Sequence, residues 1–216
     1  MNQIKTDNCI VFALPKGRLA DKTVEILEKC GIDCAALKAE TRKLVLSDAS
    51  GQFRFIFVKP ADVPTYVERG AADIGVVGKD TLLEERKDVY EPLDLKIAAC
   101  KLSVAGYGGF LYGNLNRNLR VATKYPNVAK EFYHRKGIDV DIIKLNGSVE
   151  LGPVIGLSDV IVDIVESGKT LEANGLTVLE DICPSTARLI VNKVSLKIKS
   201  EEICPLIEKM KAVVGG

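Results

Sequence analysis

The sequence predicts an α/β protein built as two lobes with a cleft between them. Three observations lead there. Short β-branched runs alternate with stretches of helical period along most of the chain, the rhythm of βαβ units and of a mostly parallel sheet with helices on both faces. The texture changes near Leu95, where an apolar run at 96–105 gives way to a Gly- and Asn-rich stretch at 106–118 before a second α/β set begins. The length, 216 residues, suits one large or two small domains of this class. The expected division puts residues 1–95 with 184–216 in one lobe and 96–183 in the other.

The elements follow in order. Residues 9–14 read as a buried strand, and 19–30 as a helix with Leu19, Val24, Ile26 and Leu27 inward, closed by Gly31. A strand at 53–58 precedes a helix opened by Pro60 and ending near Gly70. The next strand spans 73–77, and Gly78-Lys79-Asp80 leads into a short helix at 81–85. In the second set, strands are expected at 119–122, 140–145 and 159–165, with helices at 127–136 and from Ser148 onward. After Gly175 come strands near 179–182 and 188–191, then a closing amphipathic helix at 201–213. No repeats, charge blocks or low-complexity segments are visible in the sequence.

Bulk properties exclude several function classes. Thirty basic residues against 29 acidic leave a net charge of +1, so no global field points to nucleic acid or to an anionic membrane. No apolar run approaches the length of a membrane span. The apolar stretch near the start is broken by Pro15-Lys16-Gly17-Arg18 and no small-residue cleavage site follows, so no signal peptide is read and the expected location is cytoplasmic. The six cysteines form no C-x-x-C pair and read as structural thiols of a reducing compartment. The single histidine, His134, falls on the expected solvated last turn of a helix. A serine-histidine triad or a histidine zinc site would have to rest on it alone.

The most informative segment is VIVDIVESGKTLEANGL at 160–176. A β-branched run, Val160-Ile161-Val162, leads to the acids Asp163 and Glu166. Ser167, Gly168, Lys169 and Thr170 follow, then a helical pattern stopped by Gly175. Strand, small-residue turn and helix start converge backbone N–H groups on one point, which suits a phosphate monoester. The tail resembles a P-loop, but Asp163 stands where that motif's first glycine belongs, so the Walker reading fails. Carboxylates ahead of such a turn can accept hydrogen bonds from ribose hydroxyls while the turn grips a 5′-phosphate. A plain strand-to-helix connection capped by Ser167 is the competing reading.

Basic residues recur where strands end. Lys16, Gly17 and Arg18 lie where the first strand meets the first helix, at the carboxyl end where open α/β sheets bind ligands. Two solvated basic residues in a helix's first turn fit that segment equally well. Arg42 and Lys43 precede a strand, Lys59 closes one beside Pro60, and Gly78-Lys79-Asp80 closes another. Lys124 and the 146–150 segment, ending in Glu150, do the same in the second lobe. A chain of near-zero net charge with cations at one strand end after another points to an anion cleft.

With these residues assembled, the sequence resembles the ATP phosphoribosyltransferase family, and within it the short-form catalytic subunit. The resemblance runs through LPKGRL at 14–19, TRKL at 41–44, VPTYVERGAADIGVVGKD at 63–80, DLKIAACKL at 94–102, VATKYPNVA at 121–129, KLNGSVEL at 144–151, the 155–176 segment and ARLIVN at 187–192. It implies two α/β lobes of type II periplasmic-binding-protein-like architecture. The implied reaction joins ATP and phosphoribosyl pyrophosphate, with Mg²⁺, into N1-(5-phosphoribosyl)-ATP and pyrophosphate. By position, Asp163 to Thr170 would be the phosphoribosyl loop, with Ser167, Gly168, Lys169 and Thr170 around the 5′-phosphate and Glu150 and Glu166 on the ribose. Arg18 and Arg42 would face the leaving pyrophosphate or the ATP phosphates, with Lys16, Lys43, Lys59 and Lys124 as weaker candidates. Gly78 and Asp80 would border the substrate cleft.

The chain stops at Gly216, whereas long forms continue into a histidine-sensing domain. The resemblance therefore implies a homodimer when alone, and a hetero-octamer with a histidyl-tRNA-synthetase-like regulatory subunit. Pro184 departs from the family, which usually has a polar residue there. Two other classes remain open on sequence: a solute-binding protein, since that architecture is shared, and a catalytically dead scaffold subunit. The absent export signal and the Asp163–Thr170 segment count against the first. Filled basic and acidic positions count against the second.

Overall fold

The computed structural model describes residues 9–39, 43–110 and 117–215. The chain divides into two compact units, Met1–Ala98 with Thr186–Gly216, and Ala99–Ser185.

Unit 1 begins with β1 (Ile10–Pro15), α1 (Arg18–Lys29), α2 (Ala35–Lys38), β2 (Val45–Ser47) and β3 (Phe53–Val58). A 3₁₀ turn at Pro60–Asp62 runs into α3 (Val63–Glu68), then β4 (Ile74–Gly78), α4 (Lys79–Glu85) and β5 (Tyr90–Asp94). Every residue of β1 is buried, as expected of a central strand covered on both faces. Phe12 and Leu14 pack with Leu27 of α1 and Ile74, while Val11 and Ala13 face Val63 and Val67 of α3.

Unit 2 contains β6 (Cys100–Gly106), β7 (Leu119–Thr123), α5 (Pro126–Arg135), β8 (Val140–Lys144), α6 (Leu151–Val154), β9 (Val160–Val165), α7 (Lys169–Ala173) and β10 (Thr177–Ser185). Pro126 opens α5, a position that needs no donor N–H. Val128, Ala129 and Tyr133 of α5 pack on one face with Val121 and Val162. Val149 and Leu171 cover the other face over Ala122 and Ile161. The chain then returns to unit 1 as β11 (Ala187–Val191), α8 (Lys193–Ile198) and α9 (Ser200–Gly215).

The sheets run β2-β3-β1-β4-β11-β5 and β10-β6-β9-β7-β8. Both are mixed, which corrects the expectation of mostly parallel pairing. In each, three strands are parallel (β3-β1-β4 and β8-β7-β9), and the strands added beyond β4 and β9 are antiparallel. Pro184 does not interrupt its strand: β10 is an edge strand, where a missing donor can face away from the ladder. The helix expected from Ser148 is the four-residue α6.

One acidic residue just ahead of the third parallel strand closes each sheet at its amino edge. In unit 1, Asp73 N–H donates to Val11 O at 2.8 Å and Asp73 Oδ2 accepts from Val11 N at 2.8 Å. In unit 2, Asp159 N–H donates to Arg120 O at 2.9 Å and Asp159 Oδ2 accepts from Arg120 N at 2.9 Å. Each carboxylate is neutralised. Lys199 Nζ lies 2.9 Å from Asp73 Oδ2, and Ser195 Oγ donates to Asp73 Oδ1 at 2.6 Å. Arg117 grips Asp159 with both terminal nitrogens, at 2.6 and 2.7 Å, and Arg120 adds a contact at 3.0 Å. The Arg117 guanidinium is the main reason the Asp159 carboxyl sits far below the usual carboxylate range; burial opposes it and Arg120 reinforces it.

Candidate active site

In unit 2, strand register decides which loops meet. Thr123 pairs with Lys144 in β8 and with Val162 in β9, so the loops after all three parallel strands leave from one carboxyl edge. Exposed Lys124, the segment carrying half-buried Glu150, and residues 166–170 are thereby gathered. The chain passes from β7 through α5 to β8 on one flank, and from β8 through α6 to β9 on the other. That reversal makes a topological switch point between β7 and β9, where such sheets bind ligands. Thr123 spans this point: its hydroxyl donates to Val162 O at 2.6 Å and accepts from Tyr125 N at 2.8 Å.

The turn after β9 has the backbone a phosphate needs. Gly168 is left-handed, φ 74° and ψ −7°, and is itself the N-cap of α7 with no side-chain cap. Ser167 therefore is not the N-cap of the helix, and its side chain is exposed. A Cβ on Gly168 would meet nothing within 4 Å, so conformation rather than packing demands glycine and the backbone lies open. The first intrahelical bond is Glu172 N–H to Gly168 O at 3.0 Å. Helix geometry leaves the N–H groups ahead of it without intrahelical acceptors. Because α7 has five residues, few peptide dipoles sum along it. Those N–H groups and Lys169, more than a macrodipole, are what the turn offers an anion. Asp163 lies inside β9, opposite Ser103 of β6, with its Oδ1 accepting from Ile164 N at 2.9 Å. Glu166, Ser167, Lys169 and Thr170 are exposed.

Unit 1 presents a comparable edge. Pro15 pairs with Val58, and Ala13 with Gly75, so Lys16, Lys59 and Gly78 emerge together. Phe57 N–H donates to Leu44 O at 3.0 Å, which brings Lys43, entering antiparallel β2, to the same edge. Lys16, Arg18, Lys43 and Lys59 are exposed. Arg42 lies outside the described residues. Gly17 has φ 90° with open space where a Cβ would project, so no other residue suits the entry to α1 as well. Asp80 is buried and turned toward its own helix start, where a Cβ on Gly78 would fall 2.2 Å from Asp80 Oδ1.

Sequence reasoning counted Lys79, between those two residues, in the strand-end pattern but gave it no role in the site. Its Nζ lies 2.6 Å from Glu91 Oε2, and it opens α4 as Lys169 opens α7. The available signal was the Gly-Lys pair recurring ahead of both helices. Next to it, burial pushes the Asp94 carboxyl upward, but Lys96 N–H, the Thr186 hydroxyl and Arg188 outweigh that and hold it low.

Other features stand apart from these edges. A pocket of about 530 Å³ lined by Cys9, Ile10, Gln52, Phe53 and Glu202 opens where β1 and β3 begin, at the amino edge. His134 is exposed on the last turn of α5. All six cysteines are thiols, and burial pushes Cys34 up to about 11, which leaves it unreactive.

Comparison with known proteins agrees with this geometry. The sequence profile of the family described as ATP phosphoribosyltransferase matches residues 59–212. An ATP phosphoribosyltransferase of Caldanaerobacter subterraneus subsp. tengcongensis is 57% identical, over 96% of this chain and 98% of that protein. The ATP phosphoribosyl transferase (HisG:HisZ) complex from Thermotoga maritima contains a chain 37% identical, with a TM-score of 0.82 over 95% of this chain and 97% of that one. The periplasmic aliphatic sulphonate binding protein SsuA of Escherichia coli superimposes with a TM-score of 0.61 over 97% of this chain and 73% of its own, at 11% identity. That likeness concerns the fold alone, which is the type II periplasmic-binding-protein-like architecture. With near-complete coverage at more than half identity, and a phosphate-type turn at the sheet's switch point, this chain belongs to the ATP phosphoribosyltransferase family.

Proposed function

We propose that the chain runs its family's reaction on two sets of groups, one at each sheet's carboxyl edge. The reaction condenses ATP with 5-phosphoribosyl 1-pyrophosphate into N1-(5-phosphoribosyl)-ATP and pyrophosphate, the first step of histidine biosynthesis. The chain is thus a pentosyltransferase. Adenine N1 already carries a lone pair, so attack on the anomeric carbon needs no activated side-chain nucleophile. Charge instead accumulates on the departing diphosphate as an oxocarbenium-like sugar forms, and fixed donors facing that charge lower the barrier.

In this reading Ser167, Gly168, Lys169 and Thr170 hold the 5′-phosphate, while Glu150, Asp163 and Glu166 take the ribose hydroxyls. Arg18 and Arg42 stabilise the leaving diphosphate or the ATP phosphates, seconded by Lys16, Gly17, Lys43, Lys59 and Lys124. Gly78 and Asp80 shape the edge beside them. The observation that carries the reading is the open, left-handed Gly168 at the start of α7, on the edge that also holds Lys124 and Glu150.

Magnesium is assigned to the substrate side. Among the described residues no three His, Cys, Asp or Glu side chains gather into a metal cage, and Mg²⁺ commonly binds through substrate phosphates while keeping waters. When bound there, it neutralises phosphate charge.

The Thermotoga maritima relative, solved in a HisG:HisZ complex, supports a HisZ-like partner subunit. That this partner is histidyl-tRNA-synthetase-like and regulatory, that the two form a hetero-octamer, and that the chain alone is a homodimer are parts of the proposal. A cytoplasmic location fits a biosynthetic enzyme in which no helix among the described residues is long and apolar enough to cross a membrane.

Pyrophosphate release measured with Mg²⁺, and with the second subunit present and absent, is the test. Release that needs both ATP and phosphoribosyl pyrophosphate is expected. A folded chain that binds a small solute tightly yet turns nothing over would support the solute-binding alternative instead.

A further inference from the structure

We infer that Lys79 is a phosphate-binding cation of unit 1, masked by Glu91 until a substrate anion draws it away. The inference rests on the reading above, that this carboxyl edge receives phosphates of ATP or of the departing diphosphate. Lys79 follows β4 directly, and β4 neighbours β1, whose end carries Lys16, Gly17 and Arg18. Its backbone is pinned, with N–H donating to Thr186 O at 2.9 Å. Among the described residues its side chain is held by Glu91 alone, at 2.6 Å, in a pair whose side chains are 30% and 28% exposed. Such half-exposed pairs contribute little and exchange partners readily.

Glu91 has a second partner in reach. Its Oε1 lies 3.5 Å from Nε of Arg188, a buried atom that makes no hydrogen bond. Arg188 is otherwise held by Asp94, 3.1 Å from its terminal nitrogen. A buried donor left unpaired is costly, and satisfying it offsets the loss of another contact. A small rotation of Glu91 toward Arg188 therefore frees Lys79 while repairing that deficit. A second arrangement results, and a phosphate near Lys79 selects it. Lysine suits the task as a compact charge on a long, mobile stem.

The two ends of the pair make opposite predictions. Lys79→Met should raise KM for one phosphate-bearing substrate by about tenfold with kcat little changed, and Lys79→Arg should recover most of it. Glu91→Gln, which unmasks the cation, should lower that same KM. Whether ATP or phosphoribosyl pyrophosphate is affected identifies which phosphate Lys79 meets. A structural ion pair would behave otherwise, since removing either end breaks the same contact and shifts KM in the same direction; parallel shifts, or none, overturn the inference. If the wild-type chain makes no product from the two substrates together, the functional reading is what fails. Calorimetric binding of inorganic pyrophosphate, wild type against Lys79→Met, then still decides the point: weaker binding by the variant supports the masked cation, and equal binding removes it.

Discussion

The two units share a frame and differ at one edge of it. Strand order β3-β1-β4-β11-β5 in unit 1 matches β8-β7-β9-β6-β10 in unit 2, position by position. At the amino edge each uses an aspartate before the third parallel strand to take a backbone N–H from the first, at 2.8 Å for Asp73 and 2.9 Å for Asp159. At the carboxyl edge they part. Unit 1 passes straight from β4 into α4 through an extended Gly78, φ −66°. Unit 2 places Glu166, Ser167 and a left-handed Gly168 between β9 and α7. Lys79 is engaged by Glu91, whereas Lys169 stands exposed. The difference teaches that the frame is repeated, while the edges proposed to bind ligand differ in a few residues of loop at the strand ends.

The amino-edge clamps should give the largest effect. Asp73→Ala strips partners from Val11 N–H, Ser195 and Lys199, whose side chain is only 15% exposed. Orphaning a buried charge costs about 3–5 kcal/mol, so chemical denaturation should show a loss of that order; a loss below 1 kcal/mol, as for an exposed pair, would mean the clamp is ornamental.

Next comes the carboxyl edge of unit 1. Arg18→Ala should lower kcat roughly a hundredfold in a folded chain, the typical value of one donor aimed at developing charge. Unchanged turnover would take Arg18 out of the mechanism.

Asp159→Asn tests the matching clamp in unit 2, where Arg117 and Arg120 are 46% and 32% exposed. A cost of about 2 kcal/mol at neutral pH is expected, the scale of hydrogen bonds to a charged group. Because the folded-state carboxyl is held below its unfolded value, its stabilisation is fully present above about pH 4 and is lost as pH falls through the folded value. The gap between variant and wild type should therefore shrink in acid, and a gap that stays constant down to pH 3 would contradict the assignment.

The last comparison separates packing glycines from site glycines. A Cβ on Gly75 would come within 2.8 Å of Val63 and Val67, so Gly75→Ala should cost about 1–3 kcal/mol by overpacking without touching KM. Gly168→Ala meets no neighbour and should cost about 1 kcal/mol in backbone strain, yet raise KM for phosphoribosyl pyrophosphate. If both variants change only the melting temperature, the turn is not a binding element.

Much of the fold was legible residue by residue. The strand read at 53–58 is β3, and the helix read at 127–136 is α5 displaced by one residue, because an aromatic and β-branched run broken only by Arg54 and a Pro-opened amphipathic stretch carry their own period. β5 was missed: Tyr90-Glu91-Pro92 sets an acid beside a proline and shows no alternation, which an edge strand tolerates. The four-residue α2 and six-residue α8 are too short for a helical period to register. Clamps such as Asp73 with Lys199, 126 positions apart, leave no local trace.

The site was legible in part for the same reason. Glycines, lysines and acids at strand ends marked which segments could bind phosphate, since turn chemistry is written into adjacent residues. Those adjacent residues also determined the alternation of strands and helices and, through their ordered blocks, the family. Only the tertiary structure decided which strand ends share an edge, that Asp80 turns inward, and that Lys79 leans on Glu91 with Arg188 behind it. Hydrogen-bond register between strands distant in sequence settles such neighbours, and no local pattern encodes it.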